Sequence, residues 1–280
     1  MPLESYTANG LTFDVADTPG SGDPIVLLHG YPEHKESWSA VTPALAAAGH
    51  RVLAPDQRGY SPGARPKGRR AYATGELVAD VAALADAAGL DRFHLVGHDW
   101  GGAVAWAFAQ QRPERLATVT SLAAPHPAAM LRSMMTSSQA LHSWYMAFYQ
   151  LPWLPEASVR STRGAAAFRR TLVRSGLPAE QAEEYLRLLL DGAATPAINW
   201  YRALPFSARA AARGRITVPT LYVYATADFA LGRKAADLTA RYVDGPYRYE
   251  VLEGVSHWIP EEAPQRTAEL VLEHVGAHPA

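Results

Sequence analysis

The 280-residue chain carries a formal net charge of -1 and contains no cysteine. Its length suffices for one large α/β domain, or for a core with an inserted subdomain. Because the formal charge is close to zero, neither nucleic acid nor an anionic membrane is expected as a partner. Without cysteine, disulfides, thiolate chemistry and cysteine-based metal sites are excluded. A small uncharged substrate fits this composition.

The first ten residues have neither a basic start nor an apolar core. No apolar run approaches the ~20 residues that a membrane span requires. We therefore expect a soluble, unprocessed protein of the cytoplasm, and the sequence leaves monomer and homo-oligomer open.

Strand and helix patterns alternate through the first part of the chain. A strand pattern follows the turn signal Asn9-Gly10. Short apolar runs predict strands over 11–17, 24–28, 52–54, 93–96 and 118–122. Helical spacing of apolar residues predicts helices over 37–48, 75–88 and 100–111. This alternation with short links predicts a mostly parallel, doubly wound sheet that is covered on both faces.

The pattern changes between residues 126 and 214, where amphipathic segments follow one another without a convincing strand. Thr195-Pro196 has the features of a helix start, with Thr as N-cap and Pro at the first helical position. The alternation then returns, with strands over 216–224 and 247–252 and helices over 233–243 and 262–275. We predict an α/β core of residues 1–125 and 215–280, and an all-helical cap of residues 126–214.

Residues 97–102 read GHDWGG and have the glycine spacing of the G-x-S-x-G nucleophile elbow. Such an elbow is a strained turn from strand to helix that lifts its central side chain above the sheet. Here the central residue is Asp99, so the predicted nucleophile is a carboxylate. Its neighbour His98 is expected to point into the sheet packing, because adjacent residues on a strand face opposite ways.

An elbow of this kind needs an acid and a histidine, which follow the nucleophile along the chain. Asp228 comes just after one late strand pattern, and His257 just after the next. Both therefore lie at the carboxyl ends of strands, where open α/β sheets place ligand sites. A single Asp after a strand is more often a turn or capping residue, and the other nine histidines have packing, surface or loop positions. Because both follow strands at this same edge of the sheet, Asp228 is the predicted acid and His257 the predicted base.

The loop His29-Gly30-Tyr31-Pro32 directly follows a predicted strand. The backbone N–H of Tyr31 can turn toward Asp99, and the N–H of Trp100 can converge from the start of the elbow helix. Together these two groups form a predicted oxyanion hole. The alternative interpretation is that these residues only form a tight turn at the end of the strand.

Several motifs together resemble the epoxide hydrolases of the α/β-hydrolase superfamily, and the resemblance covers essentially the whole chain. They are HGYP at 29–32, QRGYS at 57–61, GHDWGG at 97–102, the Asp after a late strand and SHW at 256–258. The resemblance implies the α/β-hydrolase fold with an inserted helical cap.

The resemblance also implies two lid tyrosines that act as general acids. YMAFYQ places Tyr145 five residues before a glutamine, as in the family, and NWYR places the second at Tyr201. Aromatic residues near them predict an apolar pocket, in which Trp100, Phe148 and Trp200 bind substrate. The lid aromatics are equally compatible with a role in the lid core.

The implied reaction needs no cofactor and no metal. The carboxylate of Asp99 attacks an epoxide carbon and forms an ester, which water can hydrolyse, whereas a serine would leave an ether. The lid tyrosines supply the proton for the alkoxide, because a phenol remains protonated at neutral pH. His257, oriented by Asp228, then activates the water that releases a vicinal diol.

Other activities on this scaffold remain open. A haloalkane dehalogenase shares the Asp nucleophile and His base, but usually has Asn after the HG and lacks the tyrosine pair. Fluoroacetate dehalogenases usually carry Arg at the position of Trp100, and Asp99 disfavours a serine esterase. An epoxide-opening cyclase, or a non-catalytic ligand-binding protein, is also compatible with the fold.

Overall fold

A computed structural model describes residues 3–211 and 214–280 of the chain. In this part of the chain eight strands form one sheet, in the order β1-β2-β4-β3-β5-β6-β7-β8. They are β1 (Leu3–Ala8), β2 (Leu11–Thr18), β3 (Gly22–Leu28), β4 (His50–Pro55), β5 (Phe93–His98), β6 (Leu116–Leu122), β7 (Thr220–Ala225) and β8 (Tyr247–Leu252). Only the pairs β1 with β2 and β2 with β4 are antiparallel among these strands. The predicted mostly parallel, doubly wound sheet is confirmed.

Helices connect the strands of the described residues. They are α1 (Thr42–Ala47), α2 (Thr74–Ala87), α3 (Trp100–Gln111), α4 (Pro127–Thr136), α5 (Gln139–His142), α6 (Trp144–Phe148), α7 (Leu154–Arg160), α8 (Thr162–Arg174), α9 (Ala179–Leu188), α10 (Ala194–Arg202), α11 (Leu204–Ala211), α12 (Arg233–Thr239), α13 (Ile259–Glu262) and α14 (Pro264–Gly276). Short 3-10 turns cover Lys35–Trp38, Pro62–Ala64, Arg69–Tyr72, Pro113–Arg115 and Ala240–Tyr242, and a wide helical turn covers Leu189–Ala193. No helix in the described ranges is both long and apolar enough to cross a membrane.

The sheet is buried on both faces, and successive residues of its central strands pack into different clusters. Leu27 and Val96 belong to one apolar cluster, whereas the adjacent Leu28 and Leu95 belong to another. Every residue of β5, β6 and β7 is buried. The continuous apolar runs in the sequence follow from this arrangement, because neither face of a central strand meets water.

The order of the central strands brings two loops together. β3 lies directly beside β5, and Leu28 pairs with Gly97 near the carboxyl ends of the two strands. The loop that follows β3 therefore begins beside the elbow that follows β5. The order in which strands are added to the sheet reverses at β3, because β4 lies on one side of it and β5 on the other. Doubly wound sheets bind ligands at such switch points.

The helices α4 to α11 lie between β6 and β7 in the chain. Trp200 of α10 donates its indole N–H to the carbonyl oxygen of Arg58 at 2.9 Å, which joins this helical segment to a loop after β4. Arg202 pairs with the carboxylate of Glu156 at 2.5 Å and donates to the carbonyl oxygens of Tyr149 and Leu151. One buried guanidinium thus ties α10 to α7 and to the segment between α6 and α7.

Three local features differ from the sequence expectations. β1 lies at the edge of the sheet and was not predicted, and the helix expected over 37–48 is split into a 3-10 turn and α1. The prediction that Thr195 caps a helix was wrong, because the wide turn Leu189–Ala193 runs directly into α10 at Ala194. Residues 1–2 of the predicted core and 212–213 of the predicted cap lie outside the described residues.

Candidate active site

The elbow forms between β5 and α3 and holds Asp99 in a strained backbone conformation. Asp99 has φ 48° and ψ -116°, a region that residues with a Cβ rarely adopt. A Cβ built on Gly97 would lie 2.2 Å from the carbonyl oxygen of Gly101. Glycine is therefore required where the strand and the helix touch. The carboxylate that results at the edge of the sheet keeps 18% of its side chain exposed.

The predicted acid, base and nucleophile come together at this edge. His257 Nδ1 lies 2.8 Å from Oδ2 of Asp228, and His257 Nε2 lies 3.6 Å from Oδ2 of Asp99. The other oxygen of Asp228 accepts the backbone N–H groups of Ala230 and Leu231 at 2.7 and 2.9 Å. Because both carboxylate oxygens of the fully buried Asp228 are bonded, the acid is held in one orientation toward the imidazole.

Charges at the site favour a carboxylate at Asp99 and an imidazolium at His257. Burial acts to lower the pKa of His257, but the charges of Asp228 and Asp99 outweigh it and raise the pKa well above its usual value. Burial acts to raise the pKa of Asp99, but His257, His98 and the N–H of Tyr31 outweigh it and leave this pKa lowered. The lowered pKa therefore keeps the carboxylate of Asp99 charged at neutral pH.

The loop after β3 presents an N–H group to the nucleophile. Tyr31 donates its backbone N–H to Oδ1 of Asp99 at 2.9 Å. A Cβ at Gly30 would lie 2.6 Å from Cβ of Asp99, so only glycine permits this close approach. Trp100 is the first residue of the 12-residue helix α3, whose N-terminus carries partial positive charge. The role of the Trp100 backbone N–H in an oxyanion hole stays a prediction.

The two predicted lid tyrosines lie together and line the same cavity as Asp99. Tyr145 on α6 and Tyr201 on α10 have ring centroids 6.0 Å apart with their planes nearly perpendicular. Burial raises the pKa of both phenols, and the negative charge of Asp99 adds to the effect. Both hydroxyl groups are therefore protonated over the whole neutral range and can donate hydrogen bonds.

A cavity of about 350 Å³ reaches the carboxylate and both tyrosines. This volume is within the usual range for small-molecule sites, about 300–1,000 Å³. Its remaining lining residues are apolar: Trp100, Ala103, Ala124, Pro125, Pro127, Met130, Leu131, Met134, Met146, Leu204 and Leu231. The cavity thus combines a carboxylate and two tyrosines with an apolar wall.

Of the three aromatic residues predicted to bind substrate, one lines the cavity and two do not. Trp100 lines the cavity, as expected. Trp200 is buried with its indole bonded to Arg58, and Phe148 packs against Trp144 and Tyr149. Among the described residues, neither Trp200 nor Phe148 lines this cavity. Packing of the helical segment accounts for both, which is the alternative that the sequence left open.

A buried ion pair behind the base was missed in the sequence. His98 Nδ1 lies 2.7 Å from Oε1 of Glu33, and His98 Nε2 lies 2.8 Å from the carbonyl oxygen of His257. The second oxygen of Glu33 accepts the N–H of Gly30 at 2.7 Å. His98 is buried as predicted, but it links the loop after β3 to the loop of the base. The only sequence signal was an acid placed one residue after HGYP.

Comparisons with known proteins show the family of the chain. Residues 23–264 match the family described as the alpha/beta hydrolase fold. Epoxide hydrolase A of Mycobacterium tuberculosis is 33% identical over 306 residues, covering 95% of this chain and 94% of the relative. The AB hydrolase superfamily protein YfhM of Bacillus subtilis is 37% identical, covering 98% of each chain.

A solved structure gives the same result in three dimensions. The crystal structure of epoxide hydrolase A from Mycobacterium thermoresistibile matches with a TM-score of 0.85 and 27% identity, covering 99% of this chain and 98% of that chain. Similarity of fold thus extends over the helical segment as well as the sheet. The chain therefore belongs to the α/β-hydrolase family and groups with the epoxide hydrolases in it.

Proposed function

We propose that the protein hydrolyses an epoxide to a vicinal diol through a covalent ester on Asp99. The observation that carries this proposal is the position of the ionised Asp99 carboxylate. It lies between the N–H of Tyr31 and the imidazole of His257, and shares an apolar cavity with Tyr145 and Tyr201. A nucleophile and a pair of acids in one cavity suit the opening of a three-membered ether.

In the first half of the reaction, Oδ2 of Asp99 forms a bond to an epoxide carbon while the ring C–O bond breaks. Oδ1 remains with the N–H of Tyr31 and becomes the carbonyl oxygen of the ester. Tyr145 or Tyr201 donates a proton to the alkoxide. Positioned general acids typically contribute about 10²- to 10⁴-fold.

Ester formation converts His257 into a base. Esterification removes the negative charge of Asp99. That charge is one of the causes that raise the pKa of the imidazole. The imidazolium can then return a proton to the tyrosinate through solvent and become neutral. Asp228 still holds the ring by its Nδ1 atom, so Nε2 is left free to accept a proton from water.

In the second half, the water activated by His257 attacks Cγ of Asp99. The tetrahedral oxyanion develops on Oδ1, which already accepts the N–H of Tyr31. Trp100 at the start of α3 supplies the second N–H in this proposal. Collapse of the intermediate breaks the ester bond, and the leaving alkoxide takes the proton of the hydroxyl that water added to Cγ. This releases the diol and restores the carboxylate, with His257 as an imidazolium.

The proposal includes the division of the chain into a core of residues 1–125 and 215–280 and a cap of residues 126–214. In support, the acid hydroxyls come from α6 and α10, whereas the nucleophile and base follow β5 and β8. The two lid hydroxyls beside Asp99 favour an epoxide over a haloalkane, because an alkoxide needs a proton and a halide does not. A cytoplasmic location stays a prediction.

A single turnover in ¹⁸O-labelled water tests the proposal. With enzyme in excess over epoxide, the first diol is expected to contain unlabelled oxygen drawn from Asp99, while the label enters the carboxylate. Immediate full labelling of the diol would mean direct attack by water. A cyclic product without diol would mean that Asp99 is a base that directs the substrate's own hydroxyl.

A further inference from the structure

The cavity lies on one side of the nucleophile, and the sheet order explains why. β5, which carries Asp99, lies between β3 and β6. On the β6 side the cavity is bounded by Ala124 and Pro125 after the strand and by residues of α4. On the β3 side the chain places Tyr31 immediately after the strand. The surroundings of Asp99 therefore differ between the β3 side and the β6 side of the sheet.

Packed aromatic rings close the β3 side. The hydroxyls of Tyr31 and Tyr149 lie 3.0 Å apart, and each residue is 8% exposed. Tyr201 packs edge-on against Tyr31 at 5.3 Å between centroids, and Phe168 does so at 6.5 Å. A group that entered here would separate the two hydroxyls and leave them without partners inside the protein. Such a loss is costly, so this wall is stable against small substituents.

The β6 side is open and apolar. Met130, Met134 and Met146 line it, and their unbranched side chains adapt to the shape of a ligand. The titratable groups among the described lining residues are Asp99, Tyr145 and Tyr201. None of these three is a cation, and Asp99 repels a second negative charge. A carboxylate on the substrate would find no partner in this part of the site.

We infer that the substrates are terminal epoxides, whose uncharged alkyl or aryl substituents all sit on one ring carbon and fill the β6 side. This inference rests on the proposed epoxide hydrolysis and narrows its substrate class. In a trans-1,2-disubstituted epoxide the two substituents point in opposite directions from the ring. One of them meets the wall of Tyr31, Tyr149 and Phe168 when the other enters the cavity.

Isomeric epoxides test the inference directly. The kcat/KM for 1,2-epoxyoctane is expected to exceed that for trans-4,5-epoxyoctane on the order of 10- to 200-fold, the range that misplaced methylene groups produce in apolar pockets. A similar reduction in kcat/KM relative to 1,2-epoxyoctane is expected for 7,8-epoxyoctanoate, a terminal epoxide that carries a carboxylate. Equal kcat/KM values for the two octane isomers would overturn the inference while leaving the proposed function intact.

Two variants test whether the aromatic wall is the cause. Tyr149→Ala and, separately, the half-buried Phe168→Ala remove parts of the wall. Each is expected to raise kcat/KM for trans-4,5-epoxyoctane relative to 1,2-epoxyoctane by about tenfold or more. Phe168→Ala keeps the test valid if Tyr149→Ala fails to fold. Phe206→Ala on α11 is the matched control, because its ring lies under the guanidinium groups of Arg69 and Arg70 and belongs to neither the wall nor the cavity lining. It should leave the isomer ratio unchanged.

The outcomes separate the two proposals. Folded protein that hydrolyses neither octane isomer nor 1,2-epoxypropane would contradict the proposed epoxide hydrolysis itself. Hydrolysis of 1,2-epoxyoctane with an isomer ratio that neither wall variant changes would contradict the aromatic wall as the determinant of substrate class.

Discussion

Nε2 of His257 lies 3.6 Å from Oδ2 of Asp99, and each of the two groups favours the charged form of the other. In the proposed mechanism, His257 is therefore protonated while Asp99 is free and becomes available as a base only after Asp99 has been esterified. We expect the two halves of the reaction to respond differently to mutation and to pH.

His257→Gln is expected to form the ester and then accumulate it. The variant loses the general base of the second half, so hydrolysis should slow by about 10²- to 10⁴-fold. Intact-protein mass spectrometry after mixing with an epoxide should detect one substrate mass added to Asp99. Asp99→Asn is the control and should remain unmodified. Normal multiple turnover by His257→Gln would show that another group is the base.

Replacing the lid tyrosines is expected to slow ester formation. Tyr145→Phe and Tyr201→Phe each remove one acid hydroxyl, and the double variant should lose ring opening while retaining its fold, since the rings still pack. Each single loss should cost up to about 10²-fold in the rapid-quench rate of ester formation. Tyr6→Phe, which removes a hydroxyl bonded to Asp17 at the sheet edge, is the control. An unchanged double variant would give both tyrosines a packing role only.

The pH dependence should differ between the two halves. The lowered pKa of Asp99 keeps the carboxylate charged, so ester formation should persist as pH falls until below about 4. The raised pKa of Tyr145 and Tyr201 keeps the acids protonated, so ester formation should also persist above pH 10. Ester hydrolysis needs neutral His257 and should fall at acid pH. Rapid-quench measurements over this pH range give the rate of ester formation. A fall in that rate between pH 8 and 10 would contradict the prediction that both tyrosines stay protonated.

Glu33→Gln should destabilise the protein, and more at low pH than at high pH. Burial lowers the pKa of His98, but Glu33 outweighs it and leaves this pKa raised. A raised pKa stabilises the fold below the ordinary histidine value of about 6.5, and that contribution is lost as pH rises through the folded value. Breaking a buried pair by removing one charge costs about 3–5 kcal/mol.

Urea unfolding of both proteins at pH 6 and pH 9 measures this difference. Gln retains an oxygen for the N–H of Gly30, so the variant removes the charge and keeps that hydrogen bond. A loss of stability that is equal at both pH values would contradict a charged His98.

Gly30→Ala should damage activity more than stability. The added methyl would lie 2.6 Å from Cβ and 2.8 Å from Oδ1 of Asp99, so the loop must move and the N–H of Tyr31 must leave the nucleophile. Loss of one oxyanion donor typically costs about 10²- to 10³-fold in kcat. Gly75→Ala is the control, because no atom lies within 4 Å of its added methyl. Wild-type kcat in Gly30→Ala would exclude this N–H from catalysis.

The close approach of Asp99, Asp228 and His257 was predictable because the position of each is fixed by local sequence. Asp99 stands between glycines that permit the elbow, and Asp228 and His257 each follow an apolar strand. Tyr145 and Tyr201 were located through family resemblance, since nothing in local periodicity separates a lid acid from lid packing.

The roles of other residues depend on contacts between distant segments. Glu33 meets His98 across 65 positions of the chain, and Tyr31 meets Tyr149 across 118. No window of sequence contains either pair. The sequence also did not show that Phe148 and Trp200 lie outside the lining of the cavity, because an aromatic residue in a lid pattern gives no sign of the direction in which it points.

Helix α4 contributes Met130, Leu131 and Met134 to the cavity, while the proposed acids are carried by α6 and α10. Two of the three methionines that line the cavity thus lie on a helix that carries neither proposed acid. Substitutions on α4 are therefore expected to change which substituents the cavity accepts while leaving both proposed proton donors in place, because Arg202 binds α10 to Glu156 of α7 and to the carbonyl oxygen of Tyr149 at the end of α6.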